Sequence, residues 1–272
     1  MVIFALGYKY DFVQKRFFKT GSLELRSNIS VEVYINDELS GGTSFLTNSF
    51  SKGRLLPRTY RVRAQKDGYQ PWQKLIKVEA GFLASFPKVV LIPETFQDEL
   101  VASSSIGNIS IRKFDASNSA AIIGNKQRLQ SINLKTGEIK QIEQPSGRTA
   151  PSIGASETNY VSSPDEEKTV WFNERELWIK WEKDASYQPF QKVGDVEFVT
   201  RLNQKIDDVQ WYRDSGNLLI SVGGILKFAE IDNRGEINIF DITTIAGPFY
   251  YDSDIEAIFK FEKNKLLKIR FE

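Results

Sequence analysis

The chain contains no cysteine and no histidine among its 272 residues. Without cysteine there is no disulfide, no thiolate nucleophile and no thiolate metal ligand. Without histidine the usual general base of a nucleophilic triad is missing, and so is the commonest nitrogen ligand for zinc. A cysteine-free chain suits an envelope location without demanding one. Charge of one sign is lacking too: the formal net charge is +1, so the basic face of a dedicated nucleic-acid binder is not expected. The balance is uneven, since residues 1–94 run basic and the remainder acidic, which leaves room for a local basic patch. No Walker, G-x-S-x-G or dinucleotide-binding motif is present, and Gly223-Gly224 lies between strand-like runs with no helix to follow. No cofactor, metal or catalytic residue is therefore expected.

Helical periodicity is almost absent after residue 20. Short runs of period-two alternation, broken by Gly, Asn, Asp, Ser and Pro, take its place. In YRVRA, Tyr60, Val62 and Ala64 share one face while Arg61 and Arg63 share the other. The pattern predicts an all-β protein, and the length suits two domains. In the first domain the runs fall at 22–27, 31–36, 43–46, 59–65, 73–79 and 84–91. Turn signals at Asn36-Asp37, Gly41-Gly42, Lys52-Gly53 and Asp67-Gly68 separate them. Leu23, Leu25, Val31, Val33, Ile35, Tyr60, Val62, Ile76, Val78 and Leu91 form the expected core.

Residues 21–93, through VEVYIND, LLPRTYRV, KDGY and the closing LIP, resemble the PEGA domain. The chain departs from that family where Arg58 follows Pro57 in place of the usual glycine. The resemblance implies a small β-sandwich of bacterial or archaeal envelope and signalling proteins.

Residues 95–272 align as three units about 45 residues apart, the spacing of four-stranded blades. A fourth unit stops one strand short, and TFQDELVAS, just after the first domain, is the expected donor of the missing strand. The Ser163-Pro164-Asp165 turn and the hairpin Leu134–Glu138 resemble those of WD40-like and TolB-like β-propellers. The expected fold is thus a small β-sandwich followed by a β-propeller-like domain of about four blades.

Asp252, Asp254 and Glu256 read as a solvated turn, because the calcium-loop glycine and distal glutamate are missing. Asp232-Asn233-Arg234-Gly235 reads as a hairpin turn. In ELWIKWE, Trp181 falls in the core phase and Trp178 on the opposite face, either exposed or between blades. Trp178 together with Arg58, Arg61 and Arg63 forms the candidate binding surface, the arginines belonging to a basic stripe that is otherwise a solvated sheet face.

The N-terminal residues 1–20 admit two readings. Met1 to Leu6 is too short to span a bilayer, which takes about 20 residues, or to form a signal-peptide core. One reading is a mobile terminus or short amphipathic helix. The other is the remnant of a membrane anchor, with Phe12, Phe17 and Phe18 beside Lys15, Arg16 and Lys19 as its interfacial flank. The functional expectation is a non-enzymatic cell-envelope scaffold that presents a propeller to a protein or glycan partner. A propeller-type glycan hydrolase or lyase using Asp/Glu pairs and a cytoplasmic interaction protein are the alternatives.

Overall fold

The computed structural model describes residues 7–105, 110–125, 128–142 and 160–271, apart from the side chains of 112 and 113. Among the described residues all regular structure is strand, arranged in seven sheets. The first is a hairpin of β1 (Tyr8–Asp11) and β2 (Arg16–Lys19), paired Tyr10 to Phe17. These residues form a hairpin and not the short amphipathic helix that is one expectation, and residues 1–6 lie outside the described residues. Alternating aromatics and cations at period two suit a strand face better than a helical stripe.

The first domain is two sheets packed face to face. One sheet contains β3 (Gly21–Ser27), flanked by β6 (Ser49–Leu55) and β9 (Leu83–Val89). The other runs in the order β5 (Glu38–Gly42), β4 (Glu32–Ile35), β7 (Thr59–Gln65), β8 (Trp72–Lys77). All ten expected core residues are buried in one cluster, joined by Ala64, Trp72 and Phe86. Leu23 and Leu25 are fully enclosed, worth about 1.5–3 kcal/mol each. Two close constraints fix the path. Asn36 and Asp37 both adopt left-handed backbone, giving the two-residue hairpin between β4 and β5. At Gly21, a Cβ would lie 2.3 Å from the Glu79 carbonyl oxygen, so no larger residue fits.

The expected strand at 43–46 is instead a loop closed by Ser44 and Asn48, with Phe45 and Leu46 exposed at its apex. The strand lies at β6, where Lys52-Gly53 reads as a turn. The reason is that β6 is an edge strand burying only Phe50 and Leu55 well, so alternation is faint there. Arg58 is not left-handed, so the position after Pro57 places no demand for glycine.

Four four-stranded antiparallel sheets follow. The first three are consecutive: β11 (Ser110–Asp115), β12 (Ala120–Gly124), β13 (Leu129–Asn133) and β14 (Ile139–Ile142); β15 (Tyr160–Ser162), β16 (Lys168–Phe172), β17 (Glu176–Trp181) and β18 (Val196–Arg201); β19 (Ile206–Trp211), β20 (Asn217–Val222), β21 (Ile225–Glu230) and β22 (Ile239–Thr244). The fourth combines β23 (Phe249–Asp252), β24 (Ala257–Glu262) and β25 (Lys265–Arg270) with β10 (Glu99–Ser103), which pairs antiparallel with β25. The strand expected from TFQDELVAS therefore completes the last sheet.

The hairpins β11–β12, β15–β16, β19–β20 and β23–β24 each turn at a hydrogen-bonding aspartate and one left-handed residue. The aspartates are Asp115, Asp165, Asp214 and Asp252, and the left-handed residues are Ser119, Glu166, Ser215 and Glu256. An aspartate carboxylate can accept from backbone N–H groups within its own turn, which holds such turns tight. The domain is β-propeller-like: neighbouring sheets share buried clusters between the first and fourth, the fourth and third, and the third and second.

Candidate binding surfaces

The sandwich and the propeller-like domain meet through a buried polar joint. Trp72, Lys74 and Ile76 share the inward phase of β8, so Lys74 is carried into the interior. Its Nζ lies 2.8 Å from Glu230 Oε1 and donates to the carbonyls of Asp232, Arg234 and Glu236. Glu230 also accepts from Trp72 Nε1 and from the backbone and side-chain nitrogens of Asn238. Every oxygen of the carboxylate is thus engaged. Burial, opposed by Lys74 and Trp72, holds this carboxyl above the usual range. The loop containing Asp232–Gly235, expected as a plain hairpin turn, wraps the ammonium of the other domain.

Two carboxamides cap two edges of the sandwich, β8 and β9. Asn238 accepts from the Gln73 N–H and donates to the Gln73 carbonyl on β8. Gln188 accepts from the Ser85 N–H and donates to the Leu83 carbonyl on β9. Arg234 takes the Ser85 carbonyl, and Pro87 has no N–H to satisfy. A primary amide offers a donor and an acceptor side by side, as a neighbouring strand would. Lys88 extends the contact: it donates to the Asp214 carbonyl, and a Cβ on Gly216 would lie 2.8 Å from its Cδ.

Between these contacts lies a cleft lined by Trp72, Phe86, Trp181, Tyr187 and Glu197. It encloses about 40 Å³, room for a few waters and not for an organic ligand. Its aromatic faces carry cations of the same chain: Lys168 lies 5.0 Å from the Trp181 ring, Lys88 4.7 Å from Tyr187 and Arg234 4.0 Å from Phe86. The cleft is a joint.

The four candidate residues are not brought together. Arg58, Arg61 and Arg63 lie on the sandwich, on or just before β7. Arg58 packs over Tyr60, Arg61 pairs with Asp37, and Arg63 covers the Tyr34 ring. Arg61 and Asp37 are both more than half exposed, so that pair contributes little to stability. Trp178 sits on the second propeller sheet in a row of cross-strand neighbours, Tyr160, Trp171, Trp178 and Phe198. Successive ring centroids are 6.4, 6.1 and 5.0 Å apart. Tyr160 and Phe198 are exposed, and Trp171 and Trp178 are half-buried. Trp181 and Trp211 are core residues, as the phase of the strand predicts for Trp181.

Glu230 is buried and Asp214 and Asp208 are half-buried, and desolvation raises each carboxyl above its usual range. All three are engaged by internal donors: Asp214 by Gly216 and Asn217, and Asp208 by Val209 and Gln210. Among the described residues no group of three or more Asp or Glu side chains is placed to hold a metal ion. Sequence reasoning missed Lys74, Gln188, Glu230 and Asn238. The readable signal was a lysine in core phase between Trp72 and Ile76.

No protein-family model matches the chain, and no curated protein matches it either. Among solved structures it is similar to the Cps50 (Swd1) β-propeller domain of Myceliophteria thermophila, at 10% identity and TM-score 0.31 over 97% of this chain and 88% of that one. It is similar to the extracellular domain of the hybrid two component system BT4673 of B. thetaiotaomicron, at 10% identity and TM-score 0.31, covering 97% of this chain and 31% of that one. TolB from Acinetobacter baumannii matches at 11% identity and TM-score 0.28, over 78% of this chain and 51% of that one. Likenesses this distant carry no weight for function, and the architecture rests on the sheets themselves.

Proposed function

We propose that the chain is a non-enzymatic scaffold of the cell envelope, in which a PEGA-like sandwich serves as a rigid spacer and the propeller-like domain presents a surface to a protein or glycan partner. The observation that carries this reading is the row Tyr160, Trp171, Trp178 and Phe198, partly open to solvent on one sheet. Aromatic rings supply large contact area at low entropic cost and are enriched where proteins bind. The engagement of the Glu230, Asp214 and Asp208 carboxylates in internal bonds supports a binding role over a glycosidase, which needs two free carboxyls facing a substrate. The Lys74–Glu230 joint supports a spacer that transmits orientation instead of swinging freely.

The test is binding of the purified chain to isolated cell-wall fractions and to detergent-solubilised envelope proteins, beside Trp178→Ala and Phe198→Ala. Saturable binding to one of these, weakened at least tenfold by both substitutions while melting is unchanged, supports the reading. Binding that both variants retain in full, or no binding to either, sinks it.

A further inference from the structure

The β1–β2 hairpin has no part in the joint or the aromatic row, and its composition is segregated in a particular way. Asp11 is its only carboxylate, and the residue is turned inward: it is 8% exposed, and its Oδ1 accepts from the N–H groups of Val13 and Gln14. Lys9, Lys15, Arg16 and Lys19 are all exposed. The hairpin therefore shows solvent four cations and almost no negative charge, on a chain whose net charge is only +1.

Its tip is apolar. Phe12 and Val13 are 85% and 86% exposed and join no core cluster. Tyr10 packs edge-on against both Phe12 and Phe17, 5.1 Å between centroids in each case, and Tyr8 follows at the base of the same face. A hydrogen bond from Gly81 N–H to the Thr20 carbonyl places the neighbouring turn beside the hairpin base, and Phe82 on that turn is exposed as well. A two-stranded hairpin is marginal alone in water, so exposing this much apolar surface at its tip is costly unless something covers it.

We infer that the hairpin docks on an anionic lipid surface, with Phe12 and Val13 entering the headgroup region and Lys9, Lys15, Arg16 and Lys19 meeting lipid phosphates. Charge complementarity selects this occupant. Tyrosine rings favour the membrane interface, apolar tips partition below it, and the cations gain from the negative surface potential. Four cations near such a surface raise the partition coefficient by roughly 10²- to 10³-fold over neutral lipid. The inference does not depend on what the propeller-like domain binds.

The experiment is co-sedimentation of the full chain with vesicles of pure phosphatidylcholine and with vesicles of phosphatidylcholine and phosphatidylglycerol in equal parts. Two variants are compared, Phe12→Ser with Val13→Ser, and Lys15→Glu with Arg16→Glu. These side chains lie outside the core, so circular dichroism and melting are expected to stay unchanged. Binding to the anionic vesicles alone, lowered at least tenfold by each double variant, is the expected result. Trp178→Ala leaves it intact, which separates this inference from partner binding. Absence of binding to the anionic vesicles, or equal binding by wild type and both variants, overturns it. So does loss of an envelope-protein complex on hairpin substitution without any vesicle binding, which would assign the surface to a protein.

Discussion

Replacing Lys74 by methionine removes the cation paired with Glu230 and leaves a carboxylate in the joint between the domains. The side chains of the pair are 0% and 8% exposed. Breaking a buried ion pair from one side costs about 3–5 kcal/mol, because the survivor keeps its desolvation penalty without its partner. Here the carbonyls of Asp232, Arg234 and Glu236 lose their donor as well, which favours the upper part of that range. For a chain of this size the loss corresponds to a fall in melting temperature of roughly 6–20 °C. The assay is urea and thermal unfolding, with hydrogen exchange of peptides covering 72–77 and 230–238 to show that the joint is the part that opens. Acid should rescue part of the loss. Burial already raises the Glu230 carboxyl, and Lys74 is the first influence opposing that rise. In the variant the folded value therefore lies further above the unfolded one. Stability is then greatest below the unfolded value and falls as pH climbs through the folded one. The double variant Lys74→Met with Glu230→Met should recover much of the loss, since a well-packed apolar pair can replace an ionic one. A single variant within about 1 kcal/mol of wild type, or a double variant with strictly additive losses, would refute the reasoning.

Three further outcomes follow from the same geometry. The Asp165 carboxyl is lowered to about 2 despite the opposing effect of burial, through Ser163, Lys168 and the Glu167 N–H. It contributes stability above its unfolded value near 4 that is lost as pH falls through about 2, so Asp165→Asn should flatten the pH dependence of stability between those limits, at a cost that solvent screening reduces to about 1 kcal/mol. Gln188→Ala combined with Asn238→Ala uncovers the edges of β9 and β8. The expected result is concentration-dependent self-association in analytical ultracentrifugation, and a strictly monomeric variant would count against the capping role. Gly21→Ala should destabilise by about 1–3 kcal/mol, read from the urea midpoint, because its Cβ would meet the Glu79 carbonyl oxygen at 2.3 Å.

Much of the architecture was legible because alternation is a local signal. GSLELRS and YRVRA bury one residue in two, and the register of their strands follows from that phase. The strand exchange between β10 and β25 was legible by subtraction, since the last unit is one strand short. β6 was not, because an edge strand with exposed Lys52, Gly53 and Arg54 carries little alternation. The joint was harder still. Lys74 and Glu230 are 156 positions apart, and nothing in either local sequence names the other. The arginine stripe and Trp178 were read as one candidate surface because sequence gives composition without placement. In the fold they lie on different domains.

The pairing of β10 with β25 sets a schedule for synthesis. At its N-terminal end the propeller-like domain begins with a strand whose partner lies about 160 residues later, in β25. At typical elongation rates that is a wait of roughly 8–30 s on the ribosome. The sandwich, whose strands all lie before residue 90, can be complete by then. Its propeller-facing edges cannot, because Gln188 and Asn238 arrive late. In a nascent chain the three edges that are covered later, at β8, β9 and β10, therefore stay open until Asn238, Gln188 and β25 have been made. Deletion of β25 would leave β10 without its partner permanently. For this fold a lesion in β25 is a lesion at the beginning of the propeller-like domain.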